Sequence, residues 1–446
     1  MPIWRFALFL FICSRAYAGP QQGADGMAGG IPGVMSWTVP PTSNGLNPSQ
    51  SWLSIAASPD GDIYLTGCDH RTNSALYRLR RSDGRLVCVG DARTASEAAN
   101  NWLPGETAEK FHVRPVFHRG RLYLATADFT NANDGYLRRR GFHWYAFDIP
   151  SDRFMDLSAS EPGGVAGAHA SIVATALDEE RGLIYAHDTP RGELYCYDIA
   201  AGRTVDLGKP QFVPDGLHMP GRYMWMGRDG RVYFTISACN CVAYYDPKTG
   251  FGEKEEWLIA GQPPHSKVFR TGTMSLDHER IYAADEDGRI YRYNRRNDTF
   301  HLLGQATSAD VKYACKGTLK MRAFNVTADE KKVYFVNDDA AASAFWEWDV
   351  EGNTTKRLCD MSVLDGRIGA PGFDGHGGND SWDEDGNLYF CSFGRDQTRP
   401  TGLVLTRLDP VRLKVRLARS EGVGICGLWL AGDNMGTEPK GKGLDH

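Results

Sequence analysis

The sequence predicts an all-β fold, a seven-bladed β-propeller, on the strength of three observations. A short phrase recurs seven times: a turn of Asp, Glu, Arg and often Gly, then an apolar residue, then Tyr. The phrase recurs at intervals of 48 to 62 residues, as expected for one four-stranded blade per repeat. Apolar residues alternate with period two within the repeats, and helical periodicity is nearly absent. The seven tyrosines are Tyr64, Tyr123, Tyr185, Tyr233, Tyr282, Tyr334 and Tyr389.

Each repeat has the same internal order. Strand A is a short apolar run, and strand B begins at the tyrosine phrase. Strand C is an aromatic alternation that usually closes in Asp, as at residues 144–148 and 194–198, and strand D follows it outward. The terminal Asp favours a tight turn by bonding its own backbone two residues later. We therefore expect the seven tyrosines to be core residues that pack between neighbouring sheets.

Seven blades of this size fill most of the 446 residues, so one propeller domain is predicted at 46–430. A Gly- and Pro-rich segment at 19–45 precedes it, and a tail at 431–446 follows. Since closure of the ring removes exposed strand edges, a segment from outside the repeats is expected to complete the first or last blade. Residues 35–39 and 426–430 are the two candidates.

The first eighteen residues read as a secretory signal. Arg5 precedes an apolar run at 6–13, which is too short to span a bilayer, and Ala16-Tyr17-Ala18 matches the small-x-small cleavage rule. A retained membrane anchor is the alternative. We expect a secreted protein, or a periplasmic one if the source is bacterial, that is monomeric and has no membrane contact after cleavage.

The net charge and the cysteine content limit the binding partners that can be expected. Loss of Arg5 and Arg15 with the signal takes the formal charge from −5 to −7, so nucleic acid is not an expected partner. Nine cysteines follow the signal, scattered and without a C-x-x-C pair. Such spacing favours disulfide stapling of loops over metal binding.

Propeller geometry predicts which residues meet. The starts of the innermost strands A and the loops between strands B and C converge at one mouth of the central channel, and the A–B turns lie on the opposite face. Cations concentrate at the first set of positions. We expect His112, His169, Arg222, Arg322 and His376 to line one pocket there. The wider set of predicted ligand-binding residues is Arg114, His143, His187, His218, Lys267, Arg270, Arg322, His376 and Asn379.

A ring of cations in an acidic protein focuses anions, and arginine binds carboxylates through paired hydrogen bonds. Acidic pairs are scarce among the residues predicted at the mouth, which disfavours hydrolysis by two carboxylates, and a Gly-x-Ser-x-Gly elbow and a phosphate-binding glycine loop are absent from the sequence. The residue types fit β-elimination on a uronic acid, which requires no cofactor. Arg222, with Arg322 as second choice, would neutralise the carboxylate, and His112 and His169 would serve as base and acid. Tyr223 completes the predicted catalytic set.

With this set of residues, the blade region resembles the secreted seven-bladed propeller polysaccharide lyases that cleave ulvan or rhamnosyl-glucuronate linkages. The stretches FHVRP at 111–115, GAHAS at 167–171 and GHGGNDSW at 375–382 carry the resemblance. It implies an anionic polysaccharide or oligosaccharide as partner. Two alternatives remain open: a non-catalytic propeller that binds an anionic glycan or protein, and another propeller enzyme such as a glycosidase or a metal-dependent lactonase.

Overall fold

Short antiparallel strands make up nearly all of the regular structure in the computed structural model. It describes residues 31, 33–128, 134–259, 268–314, 317–337, 339, 342–368, 372–394 and 402–413. These residues form seven antiparallel sheets arranged as the blades of a β-propeller, which confirms the predicted fold class.

The strands follow the chain in the order that the repeats predict. The N-terminal strand is β1 (Val34–Thr38). Blade 1 contains β2 (Ile55–Ala57), β3 (Ile63–Cys68), β4 (Ser74–Leu79) and β5 (Leu86–Asp91). Blade 2 contains β6 (Lys110–Phe111), β7 (Val116–His118), β8 (Arg121–Ala127), β10 (Trp144–Asp148) and β11 (Arg153–Asp156). A small ribbon of β9 (Gly141–Phe142) and β12 (Gly167–Ala168) lies between blades 2 and 3 in sequence.

Blade 3 contains β13 (Ile172–Asp178), β14 (Leu183–Asp188), β15 (Leu194–Asp198) and β16 (Arg203–Gly208). Blade 4 contains β17 (Trp225–Met226), β18 (Val232–Phe234), β19 (Cys241–Asp246) and β20 (Gly250–Leu258). Blade 5 contains β21 (Phe269–Met274), β22 (Arg280–Asp285), β23 (Arg289–Asn294) and β24 (Thr299–Gln305). Blade 6 contains β25 (Met321–Val326), β26 (Lys332–Asn337), β27 (Ala344–Asp349) and β28 (Thr354–Asp360), and blade 7 contains β29 (Gly375–Gly377), β30 (Leu388–Phe393) and β31 (Leu403–Leu408).

Strand β1 completes the ring. It pairs antiparallel with β31, with Trp37 opposite Leu405, and so forms the outermost strand of blade 7. The N-terminal segment therefore closes the propeller, as one of the two candidate segments predicts, and the propeller begins before residue 46. The other candidate, residues 426–430, lies outside the described residues.

All seven repeated tyrosines lie on the second strand of their blade counted from the channel, as the sequence predicts; in blade 2 the short strands β6 and β7 both pair with β8 and together take the place of the first strand. The exposed fractions of the tyrosines are between 0% and 5%, so each is a core residue. Tyr233 shows the packing: its ring contacts Trp225 and Trp257 of its own blade and Tyr293 of blade 5. Such aromatic contacts between neighbouring sheets hold the blades together.

Helices occur only in connections within the described part of the chain. Helix α1 (Ala92–Ala98) follows β5, and the Asp91 carboxylate caps it by accepting a hydrogen bond from the Thr94 amide at 2.9 Å. Helix α2 (Met361–Arg367) joins blades 6 and 7, and three 3₁₀ turns lie at Asp134–Arg138, Ser158–Ser160 and Pro162–Gly164. Neither helix has the length or the apolar character needed to cross a bilayer.

The expected disulfide staples are not found among the cysteines that the structure describes. All seven of these cysteines are free thiols, and burial raises the pKa of several of them, for example that of Cys391 to about 12. The described cysteines lie on blade strands or in the core, where the packed sheets already constrain the chain. The expectation of loop stapling was therefore wrong for these residues: Cys68, Cys88, Cys196, Cys239, Cys241, Cys359 and Cys391.

Candidate functional site

Cationic side chains from four blades meet in the channel, and we call this group the axial cluster. Its members stand at or beside the first residues of the innermost strands: β6 in blade 2, the segment before β17 in blade 4, β21 in blade 5 and β25 in blade 6. Their charges act on one another, as the depressed pKa of the central histidine shows. The members are Lys110, His112, Arg222, Arg270 and Arg322. Four of them belong to the residues predicted from the sequence.

His112 and Arg222 form the centre of the axial cluster. The Arg222 Nη1 group donates a hydrogen bond to His112 Nε2 at 2.8 Å. An imidazole nitrogen that accepts from a guanidinium carries no proton, so His112 is neutral with its proton on Nδ1. Burial, reinforced by the charges of Arg222 and Lys110, holds the pKa of His112 well below its usual range. His112 therefore orients Arg222.

Positive charge exceeds negative charge around this pair. Burial and the charges of Arg270 and Arg322 lower the pKa of Arg222 well below its usual range, and Glu286 opposes that shift. The Glu286 carboxylate lies 3.3 Å from Arg270 Nε and forms an ion pair with that arginine. Cations held together in a channel with low-dielectric walls attract an anion strongly.

Lys110 extends the axial cluster toward blade 1. Its Nζ lies 3.0 Å from His70 Nε2 and 5.9 Å from the centre of the Trp52 ring. Burial, together with the nearby charge of Arg222, lowers the pKa of Lys110 to about 8, so a fraction of the amine is neutral near physiological pH. Lys110 and His70 were recognisable in the sequence as cations near the predicted mouth, but their pairing was not.

Three of the predicted histidines have structural partners elsewhere. His143 is sandwiched between Glu106 and Asp156, and His187 is buried with its ring edge-on to Phe234. The His218 Nε2–H donates to the Pro214 carbonyl at 2.8 Å in a connecting loop. None of these contacts joins the imidazole to the axial cluster, and the role of the three histidines in ligand binding stays a prediction.

The two predicted residues of blade 7, His376 and Asn379, have partners outside the axial cluster. His376 Nε2 lies 3.0 Å from the Asp365 carboxylate on α2, and the same carboxylate accepts from the Ser392 hydroxyl at 2.7 Å. His376 is thus tied to the helix between blades and does not join Arg222, contrary to the expectation. The Asn379 Oδ1 accepts from the Phe324 amide at 3.0 Å and links the two blades.

His169 keeps a chemically useful arrangement. Its Nδ1–H donates to the Arg139 carbonyl at 2.6 Å, which leaves Nε2 unprotonated and able to accept a proton. The residue is half-buried and has a positive φ of 61°. No contact in the described residues joins it to the axial cluster. Lys267 lies outside the residues that the structure describes.

Arg114 and Tyr223 lie toward the other end of the channel. There a cavity of about 1680 Å³ is surrounded by the A–B turns, and its lining includes Arg114, Arg222, Tyr223 and Asp380. This cavity opens on the face opposite to the predicted mouth. Sequence reasoning missed it because the A–B turns carry charges of both signs, which resemble an ordinary solvated surface. No group of three His, Cys, Asp or Glu residues with a metal-binding arrangement occurs in the described ranges.

Comparison with solved structures places the chain among propellers. A streptogramin B lyase shares 13% identity, with 84% of this chain and 98% of that one covered and a TM-score of 0.52. A virginiamycin B lyase from Staphylococcus aureus shares 11% sequence identity, with 84% of this chain and 99% of that one covered and a TM-score of 0.52. The extracellular domain of a putative hybrid two-component system from B. thetaiotaomicron shares 10% sequence identity, with a TM-score of 0.50. The match covers 83% of this chain and 39% of that one. At these identities the likeness shows the fold alone.

No family model and no curated protein sequence matches the chain.

Proposed function

We propose that this protein is a secreted polysaccharide lyase that cleaves a uronic-acid-containing glycan by β-elimination. The observation that carries the proposal is the axial cluster: the charges of three arginines and a lysine from four blades act on a neutral histidine, and Glu286 is paired with one of the arginines, Arg270. A carboxylate would complete this site, since an anion relieves the mutual repulsion of the cations. Lyases also occur among the structural neighbours.

The chemistry follows from where the charges are. Arg222, supported by Arg270 and Arg322, would hold the uronate carboxylate and so stabilise the negative charge that develops when the adjacent C5–H proton leaves. The C5 electron pair then forms the C4–C5 double bond while the C4–O bond breaks, and the leaving oxygen takes a proton. His169, through its unprotonated Nε2, is the preferred base, and Lys110 is suited to return a proton to the leaving oxygen.

This assignment changes the role of one predicted residue. His112 was expected to act as base or acid, but its Nε2 already accepts from Arg222. We therefore assign it to positioning: it fixes the guanidinium that receives the carboxylate. Tyr223, predicted as a catalytic residue, receives no role in this step: it lines the cavity on the A–B face and, unlike Arg222, makes no hydrogen bond to the axial cluster within the described residues.

The test is the ultraviolet absorbance of the unsaturated product from ulvan, gum arabic and pectic substrates. Replacing Arg222 by Ala should lower the rate by about 10²- to 10³-fold, as does removal of one donor to a developing oxyanion. Arg203→Ala is the matched control, because Arg203 is exposed on the outer strand β16 and should leave the rate unchanged. Absence of unsaturated product from the whole panel would rule out the lyase.

A non-catalytic binding module is the second candidate. It is favoured by the hydrogen bond that engages His112 Nε2, which removes one predicted proton acceptor from the site. One structural neighbour is an extracellular domain of a putative signalling protein. Calorimetric binding of a uronate oligosaccharide that yields no product, and that Arg222→Ala abolishes, would establish this reading in place of the lyase.

A further inference from the structure

The cavity on the A–B face has an apolar wall. Valine, methionine and tryptophan side chains from strands A line it, among them Val113, Met224, Val326 and Trp382. Exposed Leu276 and Val411 stand at its rim, with 78% and 70% of their surfaces accessible. A concave apolar surface with a few convergent polar groups is the usual composition of a small-molecule site.

One group of polar side chains lies at the inner end of this cavity, apart from the charged residues of the A–B turns. An Arg114 guanidinium nitrogen, Nη1, forms an ion pair with Asp380, whose other oxygen accepts from the Thr273 hydroxyl at 2.9 Å and the Met274 amide at 3.3 Å. Asp380 is thus fully engaged and fixes Arg114 in place. The ion pair joins blades 2 and 7, and the Thr273 bond adds blade 5, so the floor is built across the channel.

Several hydrogen-bond donors at the floor of the cavity are not used by the contacts described above. A guanidinium has five N–H donors, and in the described residues Arg114 uses only Nη1. The Tyr223 hydroxyl has no hydrogen-bond partner among the same residues, and its ring packs against Gly272, where a Cβ would lie 2.4 Å from it. Arg222 borders the same space. At this floor the unused Arg114 donors and the Tyr223 hydroxyl therefore lie beside a carboxylate, Asp380, that is already engaged, whereas the A–B turns of the lining carry charges of both signs.

We propose that this cavity is a second binding site, which takes an amphipathic carboxylate: an apolar body against the wall and an acidic group on Arg114 and Tyr223. The carboxylate accepts from the remaining Arg114 donors and from the Tyr223 hydroxyl, and Asp380 holds the guanidinium ready. The site does not depend on the proposed lyase activity, because its donors lie outside the axial cluster except for the shared border at Arg222.

The test uses the fluorescent apolar anion 8-anilinonaphthalene-1-sulfonate as probe on the full-length chain. Octanoate should displace the dye, and decanoate should do so roughly tenfold more tightly, since each buried methylene adds a constant increment. Octylamine, which has the same chain and the opposite charge, should displace it at least about tenfold less well. Equal displacement by octylamine would overturn the assignment of an acidic ligand.

Variants locate the site. Tyr223→Phe removes only a hydroxyl and should weaken octanoate binding about threefold to tenfold, and Arg114→Lys, which keeps the charge beside Asp380, should weaken it about tenfold because the paired donors are lost. Arg203→Ala is the control. Unchanged octanoate affinity in both floor variants would overturn the proposal even if the dye binds.

A competition experiment separates this site from the axial cluster. A saturating uronate oligosaccharide should leave octanoate binding unchanged; full competition would overturn the existence of two sites. Octanoate binding that depends on Arg114 and Tyr223, with no unsaturated product from any glycan, would leave this site standing and refute the lyase.

Discussion

The buried His143 should make the stability of the protein fall as pH rises from about 6.5 to about 9. The imidazole is 4% exposed, with Nε2 at 2.9 Å from Glu106 and Nδ1 at 3.2 Å from Asp156. Burial opposes its charge, but the hydrogen bonds to Asp156 and Glu106 outweigh burial and raise the pKa of His143 to about 9. The charged imidazole is therefore part of the folded network.

The magnitude follows from linkage. The folded pKa lies about 2.5 units above the ordinary value, and each unit corresponds to about 1.4 kcal/mol, so the protonated His143 contributes about 3 kcal/mol. Because the folded pKa is the higher one, this contribution is complete below the unfolded pKa of about 6.5. It is lost as pH rises through about 9.

The measurement is the free energy of urea unfolding at several pH values for the wild type and for His143→Gln. Other buried groups titrate in the same range, among them Lys110, with its pKa lowered to about 8, and Asp128, with its pKa raised to about 7 by burial. The difference between the two proteins isolates His143, and it should shrink by about 3 kcal/mol between pH 6 and pH 10. A difference that stays constant with pH would refute the assignment of a charged His143.

Three further predictions concern the fold. Burial lowers the pKa of His187 to about 4. The stability that the neutral His187 contributes is therefore complete above about pH 6.5 and is lost as pH falls through 4. His187→Phe should make the free energy of urea unfolding depend less on pH in this acidic range. Deleting residues 1–38 removes β1 and reopens the ring, so thermal unfolding should occur at clearly lower temperature, with new proteolytic cleavage in blade 7. Asp365→Ala leaves His376 and Ser392 buried without their acceptor and should cost about 3 kcal/mol in urea unfolding, whereas an unchanged midpoint would contradict a structural role.

Most of the propeller was predictable because its evidence is local and repeated. The tyrosine phrase combines a turn signal with the start of a strand, and packing then forces the same residue into the core of every blade. Tyr185 opposite Ala176 and Tyr282 opposite Thr273 occupy equivalent register positions in blades 3 and 5. Choosing between the two closing segments required the structure, because both are short apolar runs of similar composition.

The axial cluster was predictable in part because strand order fixes depth along the channel. Residues at the starts of strands A share a level, which brings His112, Arg222 and Arg322 together. The level of a residue along the channel does not, however, fix the direction in which its side chain points. His376 stands at an equivalent level on β29, yet its side chain pairs with Asp365 on a helix whose packing no spacing rule reveals.

A shift of two residues also changes the site to which a side chain belongs. An extended chain advances about 3.3 Å per residue, so Arg114 lies deeper in the channel than His112 and contributes to the A–B face cavity instead. Tyr223 lines the same cavity, and Arg222 lies at the border of the two sites, because it bonds His112 and also lines the cavity. The sequence-based set of residues thus combined two sites that the backbone separates.

The axial cluster also bears on stability. Several like charges in one channel oppose folding, and burial together with these charges lowers the pKa values of Lys110 and His112. A folded state can retain such a group when closure of the ring and the aromatic contacts between blades supply compensating stability. An excess of buried positive charge then favours a role in ligand binding over a role in packing. Because an anion binds the folded site and not the unfolded chain, its occupancy should raise the unfolding temperature in proportion to the logarithm of its concentration. The same measurement on Arg222→Ala separates binding at the axial cluster from general screening by salt, which would act equally on both proteins.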